Sequence, residues 1–498
     1  MPTPTPLAPS SDKRLFEHVA DEITQMIDRG TILPGQRLPS VRRMRERFGV
    51  SISTVLEAFR LLESRGLIVA KPQSGHYVRR RSTPPLKEPS QSQPVDRPGS
   101  LDVPLSMALA NDIGQPAKVQ LGPAIPSVDL LPSAALSRAL ARVARNQPHR
   151  AHSYDVPAGT IELRRQISRR MLDAGCTVAP DELVITHGCK EAVYLALQTV
   201  TEPGDTVAVE SPTYYGLLEA IHAHRLKAFP VASNPKEGIC LTALEQALTR
   251  GVKAIVVIPN FSNPMGTRMS DERKRRLLQM AIAAGVPVIE DDIYGELPHD
   301  GPRPHALRAM DDGSHVIYCS SFSKTISPGL RVGWCAPGKY LPRYLQAKMM
   351  LSQMNAVPPQ LAIAEYLANG GFDRHLRRLR SAYREQTARM IDAVCRYFPS
   401  GTLVSRPAGG HVIWIELPAP ADALRLHREA AAEGISIAPG PLFAVHGEYR
   451  NCFRLNTGLP WSSAIDDAIR TLGQLAARQV SEGQPMPAED CGSLAAAS

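Results

Sequence analysis

Five short apolar runs, each followed by a stretch with helical spacing, constrain the fold of this chain more than any other feature. The runs cover residues 183–186, 207–209, 254–259, 286–290 and 316–320. Apolar runs of this length are typical of strands that are buried on both faces of a sheet. Because they alternate with helical stretches, they predict an α/β fold with a mainly parallel sheet. A smaller α+β part is expected from about residue 345 to residue 480.

Polar residues follow these predicted strands directly. Gly188 lies where the first run gives way to a helix, so that backbone N–H groups there can bind an anion. Asn263 follows the third run, Asp291 ends the fourth, and Lys324 follows the fifth. Ligands of open α/β sheets bind at the carboxyl ends of the strands. A lysine that forms a Schiff base, a carboxylate near a ring nitrogen and donors near a ring hydroxyl are the groups that pyridoxal 5′-phosphate (PLP) requires.

Across roughly residues 116–480 the chain resembles the fold type I, aspartate-aminotransferase-like family, which binds PLP. The resemblance implies that Lys324 holds the cofactor covalently and that Asp291 pairs with the pyridine nitrogen. It implies the following further cofactor contacts: Asn263 and Tyr294 at the ring hydroxyl, Tyr214 stacked on the ring, and Gly188, Cys189, Ser321, Ser323 and Arg331 at the phosphate. Arg454 matches the arginine that grips a substrate or effector carboxylate. Tyr154 matches a tyrosine that reaches the phosphate of the neighbouring subunit, which implies a homodimer.

Two residues of the predicted phosphate site depart from the pattern of the family. Many relatives have Ser and Ala or Thr where this chain has His187 and Cys189. Because backbone amides make the contacts there, cofactor binding is expected to be retained. The spacing of Ser321 and Lys324 also satisfies the serine β-lactamase pattern, but no Ser-Asp-Asn or Lys-Thr-Gly accompanies it, so that interpretation is set aside.

Residues 12–80 form a separate predicted unit with three helices. An apolar residue recurs every four positions from Leu15 to Ile27, which indicates an amphipathic helix that ends near Gly30. Ser40 is a candidate N-cap for a second helix that ends at Gly49, and Ser51 is one for a third helix. Two strands, 67–71 and 76–80, are expected to form a β-wing around residues 72–75. Together these features predict a winged helix-turn-helix.

This unit resembles the winged helix-turn-helix of the GntR superfamily. The residues that carry the resemblance are 33–42, 49–55 and 74–78. The resemblance and the helix geometry together predict DNA contacts, which involve Arg42, Arg43, Ser51, Ser53 and Thr54, and Gly75 and His76 in the wing. Many relatives have Arg where this chain has Ile52, so that one expected base or phosphate contact is missing.

Composition agrees with two domains and a polyanionic partner. The chain has 498 residues, and residues 1–81 contain fourteen Lys and Arg against eight Asp and Glu. Residues 81–115 are rich in Pro, Ser and Gln and are expected to be a flexible linker between the DNA-binding domain and the PLP domain at 116–480. Residues 481–498 are expected to be a disordered tail.

The eight scattered cysteines, without a metal-binding pattern, favour a reduced cytosolic protein with no metal. No apolar run reaches membrane-spanning length, and residues 1–11 lack the apolar core of a secretory signal.

The combination of the two domains is the arrangement of the MocR subfamily of transcriptional regulators. It implies double-stranded operator DNA as a partner and PLP, or an amino acid or amine that reacts with it, as the signal. The alternative is a genuine aminotransferase with an accessory DNA-binding head, because every residue that transamination needs is present. Regulation is favoured, since a metabolic enzyme gains nothing obvious from a winged helix. Slow or vestigial transaminase activity is compatible with either hypothesis.

Overall fold

The computed structural model describes residues 14–28, 31–32, 35–71, 74–78, 86–101, 107, 111 and 115–482. The chain divides into two compact units, Met1–Pro85 and Leu86–Ser498. Each unit has its own hydrophobic core, so the two are described separately.

The small unit contains three helices and a two-stranded sheet. The helices are α1 (Leu15–Asp28), α2 (Val41–Phe48) and α3 (Ile52–Ser64), and the strands are β1 (Ile68–Lys71) and β2 (Gly75–Val78). The core forms where α1 packs on α3, with Val19, Ile23, Val55 and Leu62 fully buried. These four residues lie on the apolar stripes that the sequence predicts, which confirms the three-helix arrangement.

Both predicted caps of the helix-turn-helix are present. The Ser40 hydroxyl accepts a hydrogen bond from the Arg43 amide at 3.3 Å, and Ser51 accepts one from the Thr54 amide at 3.1 Å. Gly49 ends α2 in the left-handed region at φ 65°, which favours glycine. The turn between α2 and α3 is therefore determined by local sequence.

The wing is an antiparallel pair in which Ile68 lies opposite Val78 and Lys71 lies opposite Gly75. The second predicted strand, 76–80, is observed from Gly75 to Val78, and residues 79–80 lie outside the described residues. Arg37 forms an isolated bridge with Tyr77, so the segment before α2 packs beside the wing. A Cβ atom at Gly75 would lie 3.1 Å from Nε of this arginine.

The large unit is built around an eight-stranded sheet with the strand order β4-β11-β10-β9-β8-β5-β6-β7. Its strands are β4 (Val184–Thr186), β5 (Thr206–Ser211), β6 (Lys227–Asn234), β7 (Gly238–Ile239), β8 (Ala254–Val257), β9 (Val288–Asp291), β10 (Val316–Ser321) and β11 (Gly333–Ala336). The five central strands, from β10 to β6, pair in parallel. Strands β11 and β7 are antiparallel to their neighbours. The mainly parallel sheet predicted from the sequence is confirmed.

Helices surround this sheet and continue into the C-terminal part. They are α4 (Ser133–Asn146), α5 (Pro148–Ala151), α6 (Ile161–Leu172), α7 (Cys189–Val200), α8 (Tyr215–Ala223), α9 (Leu241–Thr249), α10 (Asp271–Ala284), α11 (Leu341–Leu351), α12 (Val357–Ala368), α13 (Gly371–Tyr397), α14 (Ala423–Ala432) and α15 (Ser463–Glu482). Each of the predicted strands at 183–186, 207–209 and 254–259 is followed by one of these helices, as a βαβ alternation requires.

Three strands of the main sheet, β6, β7 and β11, were not predicted, and β7 is only two residues long. Strand β6 contains Pro230 and ends in polar residues, so it lacks a clean apolar run. Strand β11 begins two residues after Arg331, which the sequence identifies only as part of the cofactor site. Its antiparallel pairing to β10 and β4 depends on the tertiary arrangement.

A second, four-stranded sheet forms the smaller part of the large unit, with the order β12-β13-β16-β15. Its strands are β12 (Leu403–Val404), β13 (Val412–Glu416), β15 (Ala438–Pro439) and β16 (Cys452–Asn456). In addition, β3 (Val119–Gln120) pairs in parallel with β14 (Ile435–Ser436). The smaller part, predicted at 345–480, therefore also includes Val119–Gln120 from the start of the large unit. The sequence did not predict this strand, because two residues carry no periodic pattern.

Part of the predicted linker lies against the large unit. The Ser92 amide donates to the Ser233 carbonyl at 2.9 Å, and Gly99 pairs with Ala228 at the edge of β6. The Lys87 carbonyl accepts from the Val404 amide at 2.9 Å. A Pro-rich segment cannot build a core of its own, but its backbone can still pair with an existing sheet edge. Over residues 86–99 the structure thus differs from the expected flexible linker.

At the C-terminus, α15 extends to Glu482, two residues into the stretch predicted as a tail. Residues 483–498 lie outside the described residues. None of the helices in the described part of the chain is both long and apolar enough to cross a membrane.

Candidate PLP site and DNA-binding head

Lys324 lies just beyond the carboxyl end of β10, in a short helical turn at Phe322–Lys324. Its ammonium group donates a hydrogen bond to the Ala124 carbonyl at 2.5 Å. Burial, helped by the positive charge of Arg454, lowers the pKa of Lys324 to about 8. The neutral amine is therefore accessible near neutral pH, as a lysine that attacks an aldehyde requires.

Asp291 is the last residue of β9, the strand next to β10, and its side chain is buried. Its Oδ1 atom accepts hydrogen bonds from the Ile293 amide and from the Cys189 thiol, both at 3.1 Å. Burial raises the pKa of the Asp291 carboxyl to about 6, although both hydrogen bonds favour the charged form. A carboxylate placed in this way can hold a protonated ring nitrogen.

The N-terminus of α7 forms an anion cradle. Gly188 precedes the helix at φ 91° and has no side chain with which to cap the first turn, so the first amides of α7 can face an incoming anion. Arg331 lies beside this turn and donates from Nη2 to the His187 carbonyl at 2.7 Å. The Arg331 backbone is itself in the left-handed region at φ 53°, a conformation that L residues adopt at a cost. Ser321 and Ser323 are buried nearby, and the Ser321 hydroxyl accepts from the Ser323 amide at 3.2 Å.

Two glycines that the sequence patterns did not single out make room for this site. A Cβ atom at Gly333 would lie 2.6 Å from the carbonyl carbon of Gly188 and 2.7 Å from the Ser320 oxygen. Strand β11 can therefore approach the anion cradle only with glycine at this position. A Cβ atom at Gly216 would meet the ring of Tyr214 at 2.5 Å, so this glycine admits the tyrosine over the start of α8.

Asn263 and Arg454 meet in the site although they are far apart in the sequence. The Asn263 oxygen accepts from Nη1 of Arg454 at 2.9 Å. Tyr294 is buried nearby, and burial raises the pKa of its hydroxyl, so it remains a neutral donor. The structure thus brings together the two residues predicted at the ring hydroxyl and the one predicted at a carboxylate ligand.

Arg454 lies on β16 and is fully buried. Its Nη2 donates to the Gly122 carbonyl, and the guanidinium lies 5.0 Å from the centre of the Phe443 ring. Its Nε has no hydrogen-bond partner among the described residues. A buried guanidinium with an unpaired donor is suited to a carboxylate ligand. The carbonyls of Gly122 and Ala124, from the segment after β3, therefore contact the two cationic groups of the site, Arg454 and Lys324.

His411 is a site residue that sequence reasoning missed. Its Nδ1 lies 2.9 Å from the Asn456 oxygen, which also accepts from the Gly458 amide. Burial, together with the charge of Lys324, lowers the pKa of His411 to about 3, so the ring is neutral. Because the Asn456 oxygen is an acceptor, the hydrogen-bond network assigns the imidazole proton to Nδ1. The only sequence signal was the Gly409-Gly410 pair before a lone histidine.

Tyr154 lies apart from these residues within its own chain. Its side chain is 87% exposed, and it lines a surface depression with His149, Arg150, Ser153, Asp155 and Val357. Among the described residues, no hydrogen bond joins it to the residues around Lys324. An exposed tyrosine at this position is available to a second subunit.

In the small unit, the exposed face of α2 is strongly basic. Arg42, Arg43, Arg45 and Arg47 are all exposed. The Ser51 hydroxyl forms a local network at the start of α3, with Ser53 and Thr54 oxygens each at 2.7 Å. In the wing, the His76 ring packs on Phe59 with a centroid distance of 4.7 Å, and its Nε2 lies 3.7 Å from Glu63. The side chains of Ser51 and His76 are thus engaged within the unit, and their DNA contacts stay predictions.

Comparisons with known proteins agree with both halves of this description. Residues 118–470 match the family described as aminotransferase class I and II, and residues 15–78 match the gntR family of bacterial regulatory proteins. The chain is 39% identical to the HTH-type transcriptional regulator YjiR of Escherichia coli, over 92% of this chain and 98% of that protein. It is 38% identical to the HTH-type transcriptional regulator YdcR of the same organism, with the same coverage.

Among solved structures, the chain is similar to LysN, an α-aminoadipate aminotransferase from Thermus thermophilus. The TM-score is 0.70 at 30% identity, and the match covers 75% of this chain and 95% of that one. That structure is complexed with N-(5′-phosphopyridoxyl)-L-leucine.

Proposed function

This chain belongs to the family of transcriptional regulators that join a GntR-type head to an aminotransferase-like domain, the MocR arrangement, and we propose that it regulates transcription in response to PLP or to an amino acid or amine that reacts with PLP. The head supplies DNA binding, and the large unit supplies the sensor. The observation that carries the proposal is the joint presence of a basic helix-turn-helix and a complete set of PLP-type residues in one chain.

The residues of the large unit fit PLP. The amine of Lys324 has its pKa lowered toward neutrality and is the group that bonds the cofactor. In this proposal the Asp291 carboxylate pairs with the pyridine nitrogen, and Asn263 and Tyr294 bond the ring hydroxyl. The cradle of α7, with Arg331, Ser321 and Ser323, holds the phosphate, and Tyr214 covers the ring. When bound, PLP supplies an electron sink for amino-group chemistry.

Arg454 supports a carboxylate-bearing effector. It is fully buried, its Nε lacks a partner among the described residues, and Asn263 and Phe443 hold its guanidinium in one orientation. An effector with both an amine and a carboxylate would be bound at two points, with its amine at the cofactor and its carboxylate at Arg454. An amine without a carboxylate would lose the second contact.

We infer that the functional form is a homodimer with Tyr154 reaching the partner's site. The 87% exposure of Tyr154 supports this arrangement, since a tyrosine that serves only its own chain would be expected to lie against it. A dimer carries two heads, which read two half-sites of an operator. Effector binding changes DNA affinity only if the two conformations of the protein differ in effector affinity.

Operator binding by the full-length protein tests this proposal. A duplex is first selected from a random library, and its affinity is then measured with PLP alone and with a panel of amino acids and amines. We expect at least one ligand to change the affinity of the PLP-loaded wild type but not that of Lys324→Ala. Lys236→Ala, which changes a lysine with a 70% exposed side chain, is the matched control and should respond like the wild type. An affinity that no ligand alters in the wild type would refute the sensing proposal.

The aminotransferase alternative has one observation in its favour, which is the intact set formed by Lys324, Asp291 and Arg454. Steady-state turnover with amino-acid and keto-acid pairs distinguishes the two functions. Efficient turnover that Arg42→Ala and Arg43→Ala leave unchanged, without any ligand effect on DNA binding, would favour the enzyme. We expect slow half-reactions at most.

A further inference from the structure

The outward face of the recognition helix α3 carries two apolar side chains. Ile52 is 43% exposed and Leu56 is 38% exposed. They are four residues apart, so they lie next to each other on one face of the helix. Both belong to the N-terminal half of α3, the half that a helix-turn-helix inserts into the major groove.

These two residues are not needed for packing within the small unit. The inner face of α3 is already provided by Val55, Ala58, Phe59 and Leu62, which are at most 2% exposed. Single exposed apolar residues are ordinary on protein surfaces, whereas an adjacent pair on the outward face of a recognition helix requires an explanation. Its neighbours on the outward face of α3 are polar, namely Ser53, Glu57 and Arg60.

The charges around the pair indicate what covers it. The exposed charges of α2 and α3 are mainly positive, since four arginines of α2 and Arg60 of α3 outnumber Glu46 and Glu57. Such a face attracts a polyanion and is unfavourable for a second copy of the same basic surface. The occupant that the charge pattern favours is therefore a DNA duplex.

Inside the major groove, the C5-methyl group of thymine is the apolar feature that the base edges offer. Isoleucine and leucine cannot donate or accept hydrogen bonds, so they cannot read guanine, adenine or cytosine edges as Arg, Asn or Glu do. We propose that Ile52 and Leu56 form a thymine-methyl reader, so that each operator half-site carries thymines opposite the N-terminal half of α3. The proposal rests on DNA binding by the head and adds the base class that it recognises.

The test compares thymine with deoxyuridine, which has the same hydrogen-bonding groups but lacks the methyl. Full-length protein selects duplexes from a random library, and each thymine of the selected half-site is replaced by deoxyuridine in turn. At the contacted positions we expect about fourfold weaker binding per methyl removed, which is the effect of burying roughly one methyl-sized apolar group. Replacement elsewhere in the site should have no effect.

The double variant Ile52→Ala/Leu56→Ala tests whether these two side chains cause the thymine preference. It should bind thymine and deoxyuridine duplexes equally, with the salt dependence of binding unchanged because no phosphate contact is altered. Leu15→Ala is the matched control, since Leu15 is a similarly exposed apolar residue (42%) on α1, outside the helix-turn-helix and the wing. It should keep the full thymine preference.

The inference would be overturned by selected half-sites without thymine, by equal affinity for thymine and deoxyuridine duplexes, or by a preference that persists in the double variant. A double variant that changes only the oligomeric state in sedimentation would assign the pair to self-association instead and would also overturn it. Failure to select any duplex at all would count against the regulator proposal and is thus distinguishable from these results.

Discussion

The thiol of Cys189 donates a hydrogen bond to Oδ1 of Asp291 at 3.1 Å, and both side chains are buried. The two residues are 102 positions apart in the sequence, at the start of α7 and the end of β9. The sequence pointed only to the backbone amide of Cys189, so the side chain adds a role. It stabilises the charged form of the carboxylate that is proposed to pair with the cofactor ring.

Replacing Cys189 by Ala should raise the pKa of Asp291 above its value of about 6, because a donor to the carboxylate is lost while burial remains. The carboxyl stretching band of isotope-labelled aspartate, followed against pH in the cofactor-free protein, measures this midpoint. Cys189→Ser keeps a donor and should shift it less. Cys240→Ala, at a half-buried cysteine elsewhere, is the control. An unchanged midpoint in Cys189→Ala would remove the thiol from this role.

The rate at which PLP loads onto cofactor-free protein should follow the neutral fraction of Lys324. Since the pKa of this lysine is lowered to about 8, the rate should rise about tenfold per pH unit below 8 and level off above it. Arg454→Leu removes a positive charge that lowers this pKa, so the midpoint should move to higher pH. Arg343→Leu, at an exposed arginine, should leave it in place. Visible absorbance after rapid mixing gives the rate, and a midpoint near that of free lysine in the wild type would contradict the prediction.

Arg454→Ala should weaken a carboxylate-bearing effector by about 2 kcal/mol or more, since a buried charge pair is lost. PLP should remain bound, and an amine without a carboxylate should bind as it does to the wild type. Calorimetric titration of the PLP-loaded protein with a matched amino acid and amine measures the difference. Equal losses for both ligands would instead indicate that the site has collapsed.

Tyr154→Phe should lower PLP affinity without lowering the melting temperature, because the ring is exposed in its own chain. Mixed dimers test which subunit it serves. A dimer of Lys324→Ala and Tyr154→Phe chains rebuilds one intact site only if Tyr154 acts across the interface. Full PLP affinity at half occupancy is the expected result, and no restoration would place Tyr154 in the site of its own chain.

Arg42→Ala should reduce DNA affinity and lower the slope of binding against salt by about one, if the exposed guanidinium contacts one phosphate. Thymine preference should be unaffected. Fluorescence anisotropy over a range of salt concentrations measures the slope. A slope equal to that of the wild type would exclude a phosphate contact at this position.

The sequence determined those parts of the protein that depend on local order. The apolar runs at 183–186, 254–259 and 286–290 form strands because each is long enough to be buried on both faces of a sheet. Ser40, Gly49 and Ser51 bound the helices of the head because caps act within one turn. The order of Gly188, Asn263, Asp291 and Lys324 along the chain predicted the cofactor site, because each residue lies at the carboxyl end of a different predicted strand or just after it.

Only the tertiary structure decided what meets across long separations. The pairing of β3 with β14 brings Gly122 to Arg454 and Ala124 to Lys324. A two-residue strand carries no sequence pattern that would predict this pairing. The same holds for the thiol of Cys189 on Asp291, for the neutral His411 and for the close approach of Gly333 to Gly188. Such contacts depend on strand order and packing, which arise from the whole core, whereas periodicity and caps report only on residues a few positions apart.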